Sequence, residues 1–297
     1  MLFEDIFKRK TANHFLRAVS LAGLAVASLG AAGGAMAAEA MLPALSYDQA
    51  GNRLLKVEDN ALLQSENGGK TWQDITLPSA VERGTLMSVA MPAESGDVMY
   101  IAGPTIGVQR SEDNGRSWQA LNEDLPSQNV IAFTVHRNQP KTLYAVIADD
   151  GLYQSEDAGR SWKKMDSGPT QTIRRLVHSD MEGSMQTGWL YAVSDDAVRL
   201  SMDCFCGWRL SGDLDAGQVY DVAYNVNEPK QVFVSTEQGL FRSNNGGQQW
   251  EPIASEGEEE KKVALALASE GTLYALEADG DLVISEDQGK TWEAPDA

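Results

Sequence analysis

Hydrophobic and polar positions alternate in short runs along most of the chain, and turn residues separate the runs. The clearest unit lies between residues 130 and 165. Val130 to His136 alternates as a half-buried strand, and Arg137-Asn138-Gln139-Pro140 turns the chain. Thr142 to Ala148 is a second strand rich in aliphatic and aromatic residues. Asp149-Asp150-Gly151 makes a tight turn, Gly151 to Ser155 is the third strand, and Trp162 to Met165 is a short fourth. The same order returns near the end, with strands expected at Val263–Ser269, Thr272–Glu277, Asp281–Ser285 and Thr291–Glu293.

One eight-residue phrase punctuates these units. It reads SENGGKTW at 65–72, SEDNGRSW at 111–118, SEDAGRSW at 155–162, SNNGGQQW at 243–250 and SEDQGKTW at 285–292. A degenerate copy, SMDCFCGW, occupies 201–208. The starts lie 46, 44, 46, 42 and 42 residues apart, the span of one four-stranded blade. With Leu42 to Tyr47 as the inner strand of the first unit, the chain is expected to be all-β: a single six-bladed β-propeller of four-stranded antiparallel blades over residues 38–297, with seven blades as the alternative. The carboxylate or amide at the third position of the phrase can accept backbone N–H groups across the turn. The glycine at the fifth supplies a left-handed conformation, and the hydroxyl near the end ties the other arm. The closing Trp fills space between neighbouring sheets. These features are turn mechanics, not catalysis.

The phrase resembles the Asp-box, or BNR, repeat, Ser-x-Asp-x-Gly-x-Thr-Trp. Such repeats occur in sialidases, xyloglucanases, sortilin-type receptors and photosystem II assembly/stability factor-like proteins. The spacers HRNQPKTLYA (136–145) and NVNEPKQVFV (225–234) look most like the last three groups. The resemblance implies a sialidase-like superfamily propeller and leaves function open, because the family is functionally mixed. Sialidases carry an Arg-Ile-Pro motif and a carboxylate-clamping arginine triad. Here the motif is missing, and arginines such as Arg110, Arg116, Arg160 and Arg242 go with the boxes. The xyloglucanase-like enzymes face two large propellers across a cleft, and this chain has length for one.

A segment of different character precedes the repeats. Lys8, Arg9, Lys10 and Arg17 lead into an Ala/Leu/Val/Gly run that closes on Ala35-Met36-Ala37. That is the pattern of a cleaved signal peptide over residues 1–37, with an uncleaved membrane anchor as the competing reading. A periplasmic or secreted location follows. The whole chain carries 24 Lys+Arg against 43 Asp+Glu, and the signal segment holds four of the basic and two of the acidic residues. So acidic a surface repels nucleic acid and anionic membrane, and favours cationic partners, metal ions or plain solubility. Two cysteines do not make a disulfide scaffold.

Two constellations are candidates for chemistry. On the face that carries the second-to-third strand turns, acidic residues recur: Glu58, Asp59, Asp149, Asp150, Asp195, Asp196, Glu237 and Asp279. Asp213, Asp215 and the Glu258-Glu259-Glu260 run join them from blade-to-blade loops. Such a ring suits a hard cation or a basic partner, and Arg83, Arg174 and Arg175 beside it suit an acidic peptide. The plainer reading is that a repeated turn repeats its turn-forming residues. The second constellation is the degenerate box. Cys204 and Cys206 flank Phe205, which stands where the glycine belongs, and the preceding long loop carries His178, Met181 and Met185. With Met202 these are soft ligands of the kind that hold Cu(I). The cysteines can equally join each other, or bridge two molecules.

The sequence therefore points to an exported, non-enzymatic scaffold for a protein partner, with assembly or copper maturation of an envelope redox complex as its specific role. The alternative is a carbohydrate-active hydrolase, which needs two carboxylates at a defined separation.

Overall fold

The structure, a computed structural model, describes residues 42–169, 171–185, 188–255 and 260–295. The expected signal segment, Glu258 and Glu259 lie outside the described residues. Each repeat folds into its own antiparallel sheet, strands in chain order from the inside out. The inner strands are β1 (Ala44–Asp48), β5 (Ser88–Ala90), β9 (Val130–Val135), β13 (Arg175–Ser179), β17 (Val219–Tyr224) and β21 (Lys262–Leu267). Second strands such as β10 (Leu143–Ile147) and β14 (Trp189–Val193) are wholly buried, because sheets cover both of their faces. The outer strands β4 (Gln73–Asp74), β8 (Gln119–Ala120), β16 (Arg209–Leu210) and β20 (Glu251–Pro252) are two residues long and exposed.

Six blades give six seams, and each seam holds one apolar cluster. Leu55, Val57, Val89 and Ile101 join blades one and two; Val108, Val130 and Tyr153 join two and three; Tyr144, Leu176 and Leu190 join three and four. Tyr191, Val198, Val219 and Val234 join four and five, and Phe233, Leu240, Leu265 and Ala275 join five and six. Leu45 and Leu54 pack on Ala264, Ala266 and Leu276, so the first blade seals against the last by side chains alone. Gln49 adds a hydrogen bond from Nε2 to the Leu267 carbonyl, 3.0 Å. The six-bladed expectation holds.

Blade six departs from the expectation. Its sheet has three strands, β21, β22 (Leu273–Glu277) and β23 (Leu282–Ser285), and the anticipated fourth is a single bridge between Ile284 and Glu293. In the other blades the third residue after the box Trp continues the ladder, as where Ile75 N–H donates to the Leu62 carbonyl (2.9 Å) or Ile253 N–H to Leu240 (2.8 Å). Blade six has Pro295 at that position, which has no N–H to give.

Candidate functional site

The five intact boxes share one geometry. The Ser at the first position accepts the N–H of the fifth-position Gly at 2.8 Å in every copy. Its hydroxyl donates to the third-position Asp or Asn at 2.8–2.9 Å. That Asp or Asn accepts the backbone N–H four residues on, at 3.0 Å for Asn67 and 2.8 Å for Asp113. The hydrogen bonds hold the Asp113, Asp157 and Asp287 carboxyls at about 2, well below the usual 3.8. The fourth and fifth positions are both left-handed, as at Asn114 (φ 60°) and Gly115 (φ 79°). The glycine is required for room as well: a Cβ at Gly115 would sit 2.3 Å from Ile75 of the preceding blade. Each box Trp packs in the seam with the preceding blade, and Trp118, Trp162 and Trp250 donate their indole N–H to backbone carbonyls there.

Blade four rebuilds this turn. Phe205 keeps the left-handed conformation (φ 54°) at the glycine position and sends its ring, fully buried, into the seam with blade three. The ring stands edge-on to Tyr144, centroids 5.3 Å apart. Ser201 no longer receives a glycine N–H; its hydroxyl donates to the Gly207 carbonyl at 2.7 Å. Asp203 is exposed, Cys204 half-buried and Cys206 exposed, and the two sulfurs are joined in a disulfide across Phe205. Trp208 keeps its place in the seam and donates to Asp166 Oδ2 at 3.1 Å.

The soft-ligand residues are dispersed around this turn. His178 is buried in β13, tilted against His136 (centroids 3.9 Å apart) and stacked with Tyr144 (5.7 Å), and its Nδ1 accepts the Arg137 N–H at 3.1 Å. Met181 is buried in the seam between blades four and five, where Met202 also packs. Met185 is exposed. With their sulfurs joined, Cys204 and Cys206 present no thiolate in this state. Among the described residues no three His, Cys, Asp or Glu side chains converge as a metal would require. A groove of about 570 Å³ separates the blade-four and blade-five loops, lined by Asp180, Met181, Glu182, Asn227, Glu228 and Lys230.

On the opposite face the acidic residues do recur at equivalent turns, and most are matched by cations. Lys56 pairs with Glu58 (2.8 Å), Lys164 with Asp150, Arg174 with Asp195, Arg199 with Asp196 (3.0 Å) and Lys261 with Glu237 (3.4 Å). Hydrogen bonds from Arg199 and Ser194 hold the Asp196 carboxyl at about 2, and those from Lys164 and Tyr153 lower that of Asp150. Asp59 (φ 48°) and Asp149 (φ 60°) serve as left-handed turn residues. Arg83, itself exposed, ends a 3-10 turn, Val81–Arg83, whose Val81 is buried.

Arg175 does something no pattern announced. From the inner strand of blade four it reaches across the central channel, and its Nη2 donates to the Leu45 carbonyl of blade one at 2.9 Å. Its Nε lies 3.2 Å from Asp221 Oδ1 in blade five. Asp221 in turn accepts the Leu265 N–H of blade six at 2.9 Å and the Val222 N–H at 2.8 Å. Burial raises the Asp221 carboxyl, with Arg175 pulling the other way. Four of the six inner strands are thus tied at the channel, which retains a cavity of about 140 Å³ lined by all six blades.

Comparison with known proteins agrees with this architecture. The family described as Sortilin, neurotensin receptor 3 (Sortilin-Vps10), matches residues 106–236. An oligoxyloglucan-reducing end-specific xyloglucanase of Emericella nidulans is 27% identical over 100 residues, 31% of this chain, and the match spans only 12% of that enzyme. Among solved structures, YCF48 from Cyanidioschyzon merolae superposes with a TM-score of 0.60 at 18% identity, over 86% of this chain and 85% of that one. YCF48 bound to D1 peptide gives 0.58 at 19% identity, over 86% and 82%. At such identities the likeness is one of fold. The chain is a six-bladed β-propeller of Asp-box repeats, similar in fold to YCF48 and, over part of its length, to the Sortilin-Vps10 family and the xyloglucanase.

Proposed function

We propose that this propeller is an exported, non-enzymatic scaffold that binds a polypeptide segment of a protein partner on its turn face. The reading rests above all on the state of the acidic residues there. Asp195, Asp196 and Glu237 are each more than half exposed yet paired with Arg174, Arg199 and Lys261. Exposed pairs of this kind contribute little to stability, and a partner's charges can replace either member. Glycoside hydrolysis needs a raised carboxyl facing the substrate. Asp221, which burial raises, faces Arg175 and two backbone N–H groups inside the channel. That YCF48, a propeller of similar extent, was solved with a peptide bound supports the same use here.

Assembly or maturation of an envelope redox complex is the specific role that fits an exported scaffold. Its copper-carrying form requires that Cys204 and Cys206 first be reduced, since a cysteine binds Cu(I) as its thiolate. The experiment is crosslinking and recovery of the mature chain from its native envelope, beside a D195N/D196N/E237Q variant. A defined protein complex recovered with the wild type, weakened by salt and by the variant, is the expected outcome. Recovery of no protein, together with release of sugar from xyloglucan oligosaccharides, replaces the scaffold with the hydrolase.

A further inference from the structure

We infer that the Cys204–Cys206 disulfide is a thiol–disulfide exchange site, acting on a dithiol of an exported polypeptide. A disulfide whose loop contains one residue restrains the unfolded chain very little, so stabilisation accounts poorly for its presence. The turn is also anchored without it. Phe205 is buried in the seam, Trp208 bonds Asp166, and Ser201 bonds the Gly207 carbonyl. Opening the bridge therefore leaves the fold its other attachments.

Access is good on the side of Cys206. Its side chain is exposed, and a Cβ added at the adjoining Gly207 would meet no atom within 4 Å, so an incoming sulfur finds open space.

In the first step a partner thiolate attacks Cys206 Sγ. A bond forms between the partner and Cys206, and the Cys204 sulfur leaves as a thiolate that takes up a proton. The partner's second thiolate then attacks its own sulfur in the mixed disulfide. The partner's disulfide closes, and the Cys206 thiolate is released and protonated. The partner loses two electrons and two protons, and the propeller gains both. Exchange with a second exported protein that carries a disulfide restores the starting state.

The test uses the mature chain with a synthetic reduced two-cysteine peptide and with reduced glutathione, counting new thiols by alkylation and mass. The expected result is two labels per chain, one peptide disulfide formed per propeller, at a rate well above that of global unfolding, with the fold retained. C204S, which leaves Cys206, should form a mixed disulfide with glutathione disulfide about tenfold faster than C206S. A C204S/C206S chain is the blank, and reduced, alkylated wild type serves if that variant does not fold. Thiols that appear no faster than the chain unfolds would overturn the proposal and leave the bridge a staple.

Discussion

At the scale of single residues, the degenerate box is the informative position. In the sequence Phe205 reads as a defect, because it occupies the glycine site of a turn that requires left-handed backbone. The structure shows it holding that conformation while its ring fills the seam, so the strain is offset by burial. Phe205→Ala keeps the strain and loses the ring, and should cost about 3–5 kcal/mol in denaturant unfolding. Phe205→Gly relieves the backbone and should cost measurably less. In the intact boxes the roles of the Asp and Trp were legible from chemistry alone. The role of the first Ser, as acceptor of the glycine N–H, was not, since a hydroxyl at a strand end has many uses. The box carboxyls also set a pH response. Their folded pKa of about 2 lies below the unfolded value. Their stabilisation is therefore complete above about pH 4 and lost as pH falls through about 2. A D113N/D157N/D287N variant should melt about 2–4 °C lower at pH 7, with the gap closing toward pH 2 in thermal scans of both proteins.

At the scale of strands and turns, the period and the alternation located every blade, because each one closes its own meander from contiguous sequence. The missing outer strand of blade six was foreseeable from Pro295, had the ladder bond of the third residue after the Trp been known. The acidic ring is the instructive case. Its recurrence was visible, and its neutralisation was not. Lys164 reaches Asp150 from the strand beside the turn, and Arg174 reaches Asp195 from the residue just before the inner strand of the same blade. Such pairings depend on register and side-chain direction, which spacing does not report. Replacing these exposed acids should change stability by less than about 1 kcal/mol each, measured in urea, and any larger effect should be on partner binding.

At the scale of the molecule, the ring is held by seams of apolar side chains and by one polar tie across the channel. The sequence placed Arg175 beside the acidic ring but did not show its role in the channel, because its partners, Leu45 and Asp221, lie in other blades and no motif links them. Arg175→Met should cost about 3–5 kcal/mol, since it leaves Asp221 charged and buried without its cation. Arg175→Lys should recover only part, as a single ammonium cannot serve the Asp221 carboxylate and the Leu45 carbonyl with the same planar fork. Both are read from chemical denaturation, with Arg83→Met as an exposed control expected to be neutral. The outer strands carry a different consequence. An all-β protein offers the rim of every sheet to other chains, and a long flat rim invites them to add strands and polymerise. Here four of the six rims offer two residues of ladder before the backbone turns away, in blade five already at Pro252, and the longest outer strand, Lys163–Asp166 in blade three, has four. At high concentration, copies of this molecule have little ladder at their rims by which to zip together.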